Sequence, residues 1–275
     1  MDGILRDATR EAVIAAIEEN EVAYWLYRAR IAGWQVHEDA EITWYQSGGG
    51  SASVNGVLRT HLSKEHVEER IAGTIAHFAT QGLPFTWWSS PSRMPADLGQ
   101  RLCAAGLAFE GDDPAMAADL TRMAESIPAP EGVTIERARS DDEVYQWRLA
   151  FRAANSVPPN PEAAQLRQYA PASYGDDEPF RLYTACLHGE PVATSQLQLG
   201  AGVAGIYCVA TAPHARRRGI GAAVTLAAMR DARALGYQFA VLGATEMGAR
   251  VYRRIGFEQY STLSSYTWHP DADVL

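Results

Sequence analysis

Between residues 209 and 222 the chain reads Val-Ala-Thr-Ala-Pro-His-Ala-Arg-Arg-Arg-Gly-Ile-Gly-Ala. An apolar strand end, a Pro turn, three arginines and two glycines run straight into a helix. A strand returning as a helix belongs to an α/β or α+β layer architecture, and the residues at this turn fix what it can hold. Apolar residues at 224, 226, 227 and 235 predict a helix over Ala223 to Leu235, which puts Gly219, Ile220 and Gly221 at its start. There the first backbone N–H groups lack intrahelical partners, the helix dipole favours an anion, and glycine lets a phosphate approach the main chain. Arg216 and Arg218 add donors matched to phosphate oxygens, and Arg217 between them is expected to face solvent. The spacing is not Gly-x-x-x-x-Gly-Lys-Ser/Thr, and no acidic residue stands about 20 positions on as a dinucleotide fingerprint requires. A solvated basic patch is the competing account. The coincidence of glycines, arginines and helix start favours phosphate.

These residues are similar to the acyl-CoA signature of the GCN5-related N-acetyltransferases (GNAT), Gln/Arg-x-x-Gly-x-Gly/Ala after a strand and a Pro turn. Val251-Tyr-Arg-Arg-Ile-Gly-Phe257 resembles the same family's late helix ending in Tyr-x-x-x-Gly-Phe. The resemblance covers residues 131 to 270. It implies a mixed central sheet flanked by helices and split near its centre, with acetyl-CoA as co-substrate and no metal. The implied acyl-CoA contacts are the strand end Val209, Ala210 and Thr211, the turn and helix start Arg216, Arg217, Arg218, Gly219, Ile220, Gly221 and Ala222, and then Thr245 and Tyr252. Tyr252 stands where the family keeps a tyrosine that protonates the departing thiolate. Thr245 stands where relatives often have Asn. Glu246 has two readings, a base for a protonated amine or a helix-start carboxylate favoured by the dipole. Relatives often carry a Glu on the strand that here reads Gly205-Ile-Tyr-Cys-Val-Ala210, so the base is otherwise unassigned. Tyr207 and Cys208 should point to opposite faces, with Tyr207 toward the acceptor. Trp147 and Phe151 are further acceptor-pocket candidates, with core packing as their alternative, and the loop Asn155 to Pro161 after them could line a pocket.

The length of 275 residues favours two domains. Glu125-Ser-Ile-Pro-Ala-Pro-Glu-Gly132 reads as a linker, dividing a domain over 1–124 from an acyl-CoA-binding domain over 133–275. The latter should run βααβββαβαββ. The N-terminal part reads as a helix over Asp7 to Ala32, a hairpin across Gly48-Gly-Gly50, a helix from Ser63 to Ala79, a strand at Pro84 to Trp88, a helix at Pro95 to Ala105 and a closing segment to Leu120. It resembles a degenerate second GNAT-like half or is an unrelated accessory α/β domain. At its own phosphate turn stands Arg59-Thr-His-Leu-Ser63, without the glycines.

With 24 basic and 33 acidic residues the formal charge is 24 − 33 = −9, which disfavours nucleic acid and anionic membranes as partners. Three singly placed cysteines and the absence of a signal-like start or a long uncharged apolar run fit a cytoplasmic protein, monomer or homodimer. The expected function is transfer of acetyl from acetyl-CoA to a primary amine of a small molecule by direct attack. The alternative is a non-catalytic acyl-CoA-binding module for sensing or scaffolding.

Overall fold

The computed structural model describes residues 3–123, 129–155 and 174–270. In chain order the elements are α1 (Arg10–Ala32), β1 (Gln35–Glu38), β2 (Ile42–Gln46), β3 (Asn55–Thr60), α2 (Val67–Ala79), β4 (Phe85–Ser89), α3 (Leu98–Ala104), β5 (Ala108–Asp119), β6 (Val133–Arg137), α4 (Asp141–Asn155), β7 (Phe180–Leu187), β8 (Glu190–Gly200), β9 (Val203–Thr211), α5 (Ile220–Ala234), β10 (Phe239–Gly243), α6 (Glu246–Arg254) and β11 (Glu258–Trp268). The second helix of the expected order falls on residues 156–173, outside the described residues. Among the described residues a single strand, β11, follows α6, where two were expected. Among the described residues no helix is long and apolar enough to cross a membrane.

Two compact units form, one from Met1–Tyr24 with Ala115–Tyr260, the other from Trp25–Pro114 with Ser261–Leu275. This differs from a sequential division at 125–132, and strand pairing is the reason. Residues 115–119 of β5 pair antiparallel with β10, and residues 264–268 of β11 pair antiparallel with β4. A strand joins the unit whose ladder it completes, whatever its place in the sequence.

In the first unit the strand order is β5-β10-β9-β8-β7-β6. The Ser140 hydroxyl accepts from the Glu143 N–H at 3.3 Å and starts α4, while the Glu143 carboxylate reaches back to the Arg139 N–H at 2.6 Å. Between β7 and β8, His188 (φ 52°) and Gly189 (φ 87°) make the tight turn whose twist matches a hairpin. The α5 crossover makes β9 and β10 parallel, but the ladder between them holds only Ala204↔Ala240 and Val241↔Gly205. Beyond Gly205 the two strands part, which is the split the family resemblance implied. Met116, Leu197, Ile206, Val224, Met229 and Leu242 form the centre of the core, each worth about 1.5–3 kcal/mol of apolar burial.

The second unit has the strand order β1-β2-β3-β4-β11, with α2 as the crossover between β3 and β4. That parallel pair also holds only two rungs, Gly56↔Thr86 and Val57↔Trp87. Ile71, Phe78, Phe85, Trp87, Leu98 and Leu102 are its buried centre. Hairpin strands, crossover helix, parallel strand and short helix thus recur in the order seen in the first unit. The start of α2 differs in chemistry. Glu68 and Glu69 lie in its first turn and no side chain caps it, so the helix start already carries negative charge that would oppose an anion.

Candidate functional site

The junction forms as the sequence requires. Gly219 caps α5 with φ 78°, a conformation glycine adopts without strain. The first intrahelical bond runs from the Ala223 N–H to the Gly219 carbonyl at 3.0 Å, leaving the amides of Ile220, Gly221 and Ala222 ahead of it. No acidic residue lies in the first turn of α5. A Cβ on Gly221 would sit 3.2 Å from the Thr211 hydroxyl oxygen, so glycine lets the helix start close against the end of β9. These groups open on a cavity of about 530 Å³ lined by Thr211, Arg216, Arg217, Gly219, Ile220, Gly221 and Ala222, and from α6 and its C-cap by Val251, Arg254 and Ile255.

The three arginines stand in different surroundings. Arg217 is exposed, as expected, and it also takes a left-handed conformation (φ 61°) and lines the cavity. Arg218 is exposed and is not among the lining residues. Arg216 lines the cavity, but its guanidinium donates to the Thr211 carbonyl at 2.9 Å and the Ala154 carbonyl at 3.0 Å. It clasps the strand end to the last turn of α4. Arg254 enters the cavity from a helix that sequence reasoning valued for Tyr252. Its position three residues after Val251 on the same helical face was the available signal.

Beyond the split, β9 carries a bulge. Thr194 pairs with Ala210 and Gln196 with Tyr207, so Cys208 and Val209 together oppose Ser195. Cys208 has φ 50°, and the buried Thr194 hydroxyl donates to its carbonyl at 2.8 Å. The bulge breaks the strict alternation that would send Tyr207 and Cys208 to opposite faces. Both reach Tyr24 of α1: the Tyr24 and Tyr207 rings stack at 3.9 Å, and the Tyr24 hydroxyl lies 3.5 Å from the Cys208 sulfur. The Tyr207 hydroxyl donates to Asn20 Oδ1 at 2.9 Å, while Asn20 Nδ2 donates to the carbonyls of Gly200 at 2.9 Å and Gln198 at 3.2 Å. Burial raises the Tyr207 phenol well above its ordinary value, with Glu21 and Cys208 adding to the effect. Tyr207 therefore faces the N-terminal helix with its hydroxyl engaged. Val209 packs partly on the core, and Ala210 and Thr211 are half-buried beside it.

The remaining candidates scatter. Thr245 is the N-cap of α6, its hydroxyl accepting from the Gly248 N–H at 3.2 Å. Glu246 follows as the exposed first residue of that helix, the position a helix-start carboxylate favours. Tyr252 is half-buried, its ring edge-on to Phe257 at 5.7 Å, and burial pushes its phenol up to about 12. Its hydroxyl has no hydrogen-bond partner among the described residues. Trp147 is fully buried, donates to the Ser195 carbonyl at 3.0 Å and stacks on Phe151 at 5.1 Å. Burial of that degree makes Trp147 core rather than pocket wall. The loop after Asn155 lies at 156–161, outside the described residues.

Residues 142–257 match the model of the Acetyltransferase (GNAT) family, and this stretch, which holds α5 and α6, is a GNAT domain. The fold has the same kinship. A GCN5-related N-acetyltransferase from Kribbella flavida superposes with a TM-score of 0.67 at 18% identity, over 90% of this chain and 95% of its own. One from Sphaerobacter thermophilus gives 0.61 at 16% identity, over 91% and 93%. A tandem GNAT protein from the clavulanic acid biosynthesis pathway gives 0.60 at 14% identity, over 98% and 97%. No curated protein matches the sequence. The chain thus shares its fold, across nearly its whole length, with these GNAT structures, one of them a tandem GNAT protein, and its residues 142–257 match the family model of GNAT acetyltransferases.

Proposed function

We propose that the protein transfers the acetyl group of acetyl-CoA to a primary amine of a small molecule by direct attack. The observation that carries this reading is the start of α5, with unpartnered amides, a positive-φ glycine and Arg217 around one cavity, beside the parted end of β9. The Ile220, Gly221 and Ala222 amides would hold the pyrophosphate, with Arg217 and Arg254 supplying charge. Main-chain groups of Val209 to Thr211 would hold the pantetheine arm in the split, in the manner of an added strand. The bulge at Cys208 and Val209 turns successive peptide groups out of the ladder, which suits amide donation to a thioester carbonyl oxygen as negative charge develops on it. The amine lone pair forms the C–N bond, the C–S bond breaks, and the sulfur takes a proton from Tyr252. The amine must shed a proton, and Glu246 is the carboxylate at hand on α6, directly or through water.

Calorimetry with acetyl-CoA and thiol release against a panel of amines test this together. The expected result is one equivalent bound per chain, because α2 presents Glu68 and Glu69 where α5 presents bare amides, and turnover with at least one amine class. Binding without turnover across aminoglycosides, amino acids, polyamines and peptides would favour the acyl-CoA-binding module instead. Two retained equivalents would sink the single-site reading. Gly221→Ala is expected to weaken acetyl-CoA binding about tenfold, or about 1.4 kcal/mol. The added methyl crowds Thr211 and stands between the amides and a phosphate, and the melting curve should stay close to the parent. Unchanged affinity by the same calorimetry would remove the pyrophosphate from this turn.

A further inference from the structure

The second unit holds a cavity of about 440 Å³ with the largely buried Arg93 in its wall. Arg93 is 5% exposed, and among the described residues its side chain makes no ion pair and no hydrogen bond. The Ser90 hydroxyl in the same wall is buried and likewise without a partner. A largely buried guanidinium with no ion-pair partner among the described residues is a ready place for an anionic group to dock. The loop is held in place by the main chain. The Arg93 N–H donates to the Ser90 carbonyl at 2.9 Å, the Met94 N–H to the Thr60 carbonyl at 3.1 Å, and the Leu62 N–H to the Met94 carbonyl at 3.1 Å. The two unpartnered groups are therefore positioned by backbone pairing rather than by their own side-chain contacts.

The rest of the wall narrows the occupant. Asp97 is paired with Arg101 at 2.8 Å, whereas Asp112 accepts from the Ser264 hydroxyl at 2.6 Å and makes no ion pair among the described residues. A cation and a carboxylate that have no ion-pair partner among the described residues, in a cavity of this size, match a small molecule carrying both signs, and a multiply charged anion would meet Asp112. We infer that this cavity is a binding site for a small zwitterion of the amino-acid type, its carboxylate held by Arg93 and Ser90 and its ammonium facing Asp112. A guanidinium fork accepts a carboxylate through two parallel hydrogen bonds, and the Ser90 hydroxyl adds a third donor. The site makes the second unit a ligand-binding domain, independent of whether the GNAT domain turns over acetyl-CoA.

The test is calorimetric titration of the full chain with a set of amino acids, their methyl esters, the matching carboxylic acids without the amine, and inorganic phosphate. At least one amino acid is expected to bind. Its ester and its des-amino analogue should bind at least about tenfold more weakly. Arg93→Gln should weaken the amino acid by about tenfold or more, and Asp112→Asn should weaken the amino acid but not the des-amino acid. Ser90→Ala, a smaller change, repeats the test should Arg93→Gln fail to fold by circular dichroism. No amino acid binding up to about 10 mM, esters binding as well as acids, phosphate binding more tightly than any amino acid, or binding unchanged in both the Arg93 and Ser90 variants would each overturn the assignment.

Discussion

Tyr252→Phe is expected to lower kcat about 100-fold, the scale of a lost general acid, while acetyl-CoA affinity stays within about twofold. The substitution deletes one oxygen that bonds to nothing among the described residues and keeps the ring, which packs edge-on to Phe257. Stability should therefore hold, and the loss should fall on the chemical step. Burial raises the phenol to about 12, so the hydroxyl stays protonated at and well above neutral pH. It can donate throughout that range, and its own ionisation contributes no alkaline limb below about pH 10. The variant should accordingly lose the same factor at every pH from about 6 to 9, with the limbs of the profile unmoved. Steady-state kinetics across that range, with calorimetric binding beside it, read both quantities. A kcat within about twofold of the parent would take the proton from elsewhere and leave Tyr252 as packing.

How much of this was legible in the sequence depended on the range of the interaction. The α5 junction was, because a helix start, a positive-φ glycine and a tight helix–strand approach are dictated within a few residues of Gly219 and Gly221. The Ser140 cap and the His188-Gly189 turn are equally local. That Arg217 takes the left-handed conformation was not legible, because three consecutive arginines carry no mark of which one does; that is set by how the turn meets the α5 axis. The bulge was hidden for a similar reason. Ile206-Tyr-Cys-Val-Ala210 reads as an ordinary apolar strand, and the extra residue appears only when its partner Ser195 is known. β1 escaped notice because Gln35 to Glu38 is short, polar and mostly exposed, an edge strand without apolar alternation. The unit boundaries were beyond sequence reasoning altogether. Nothing near Ala115 or Ser261 says that the chain there changes the ladder it completes, and nothing near Asn20 says that its amide serves carbonyls about 180 residues on.

That last contact supports the second large effect. Gly205→Ala is expected to destabilise the unit that contains it by about 3 kcal/mol or more, the upper range for forcing atoms into a packed interior. Its melting transition should fall by roughly 6–12 °C. A Cβ on Gly205 collides with Asn20 Oδ1 and with the Tyr207 ring. Neither can step aside cheaply. The Asn20 amide is fixed by the carbonyls of Gln198 and Gly200, and the Tyr207 ring is stacked on Tyr24 with its hydroxyl bonded to Asn20. Relief must come from moving α1 off the sheet or from shifting β9, and β9 carries the bulge one residue past Tyr207. Acetyl transfer should fall with stability for that reason, although no atom of Gly205 lines the α5 cavity. Gly73→Ala is the matched control, since Gly73 lies inside α2 with nothing within 4 Å of its added methyl. That change should stabilise by roughly 0.5–1 kcal/mol. Adding Asn20→Ala to Gly205→Ala removes half of the collision and should recover part of the loss, so that the two costs are less than additive. If calorimetry finds Gly205→Ala as stable as the parent, Asn20 does not hold α1 on this face, and the N-terminal segment has no structural claim on the GNAT domain.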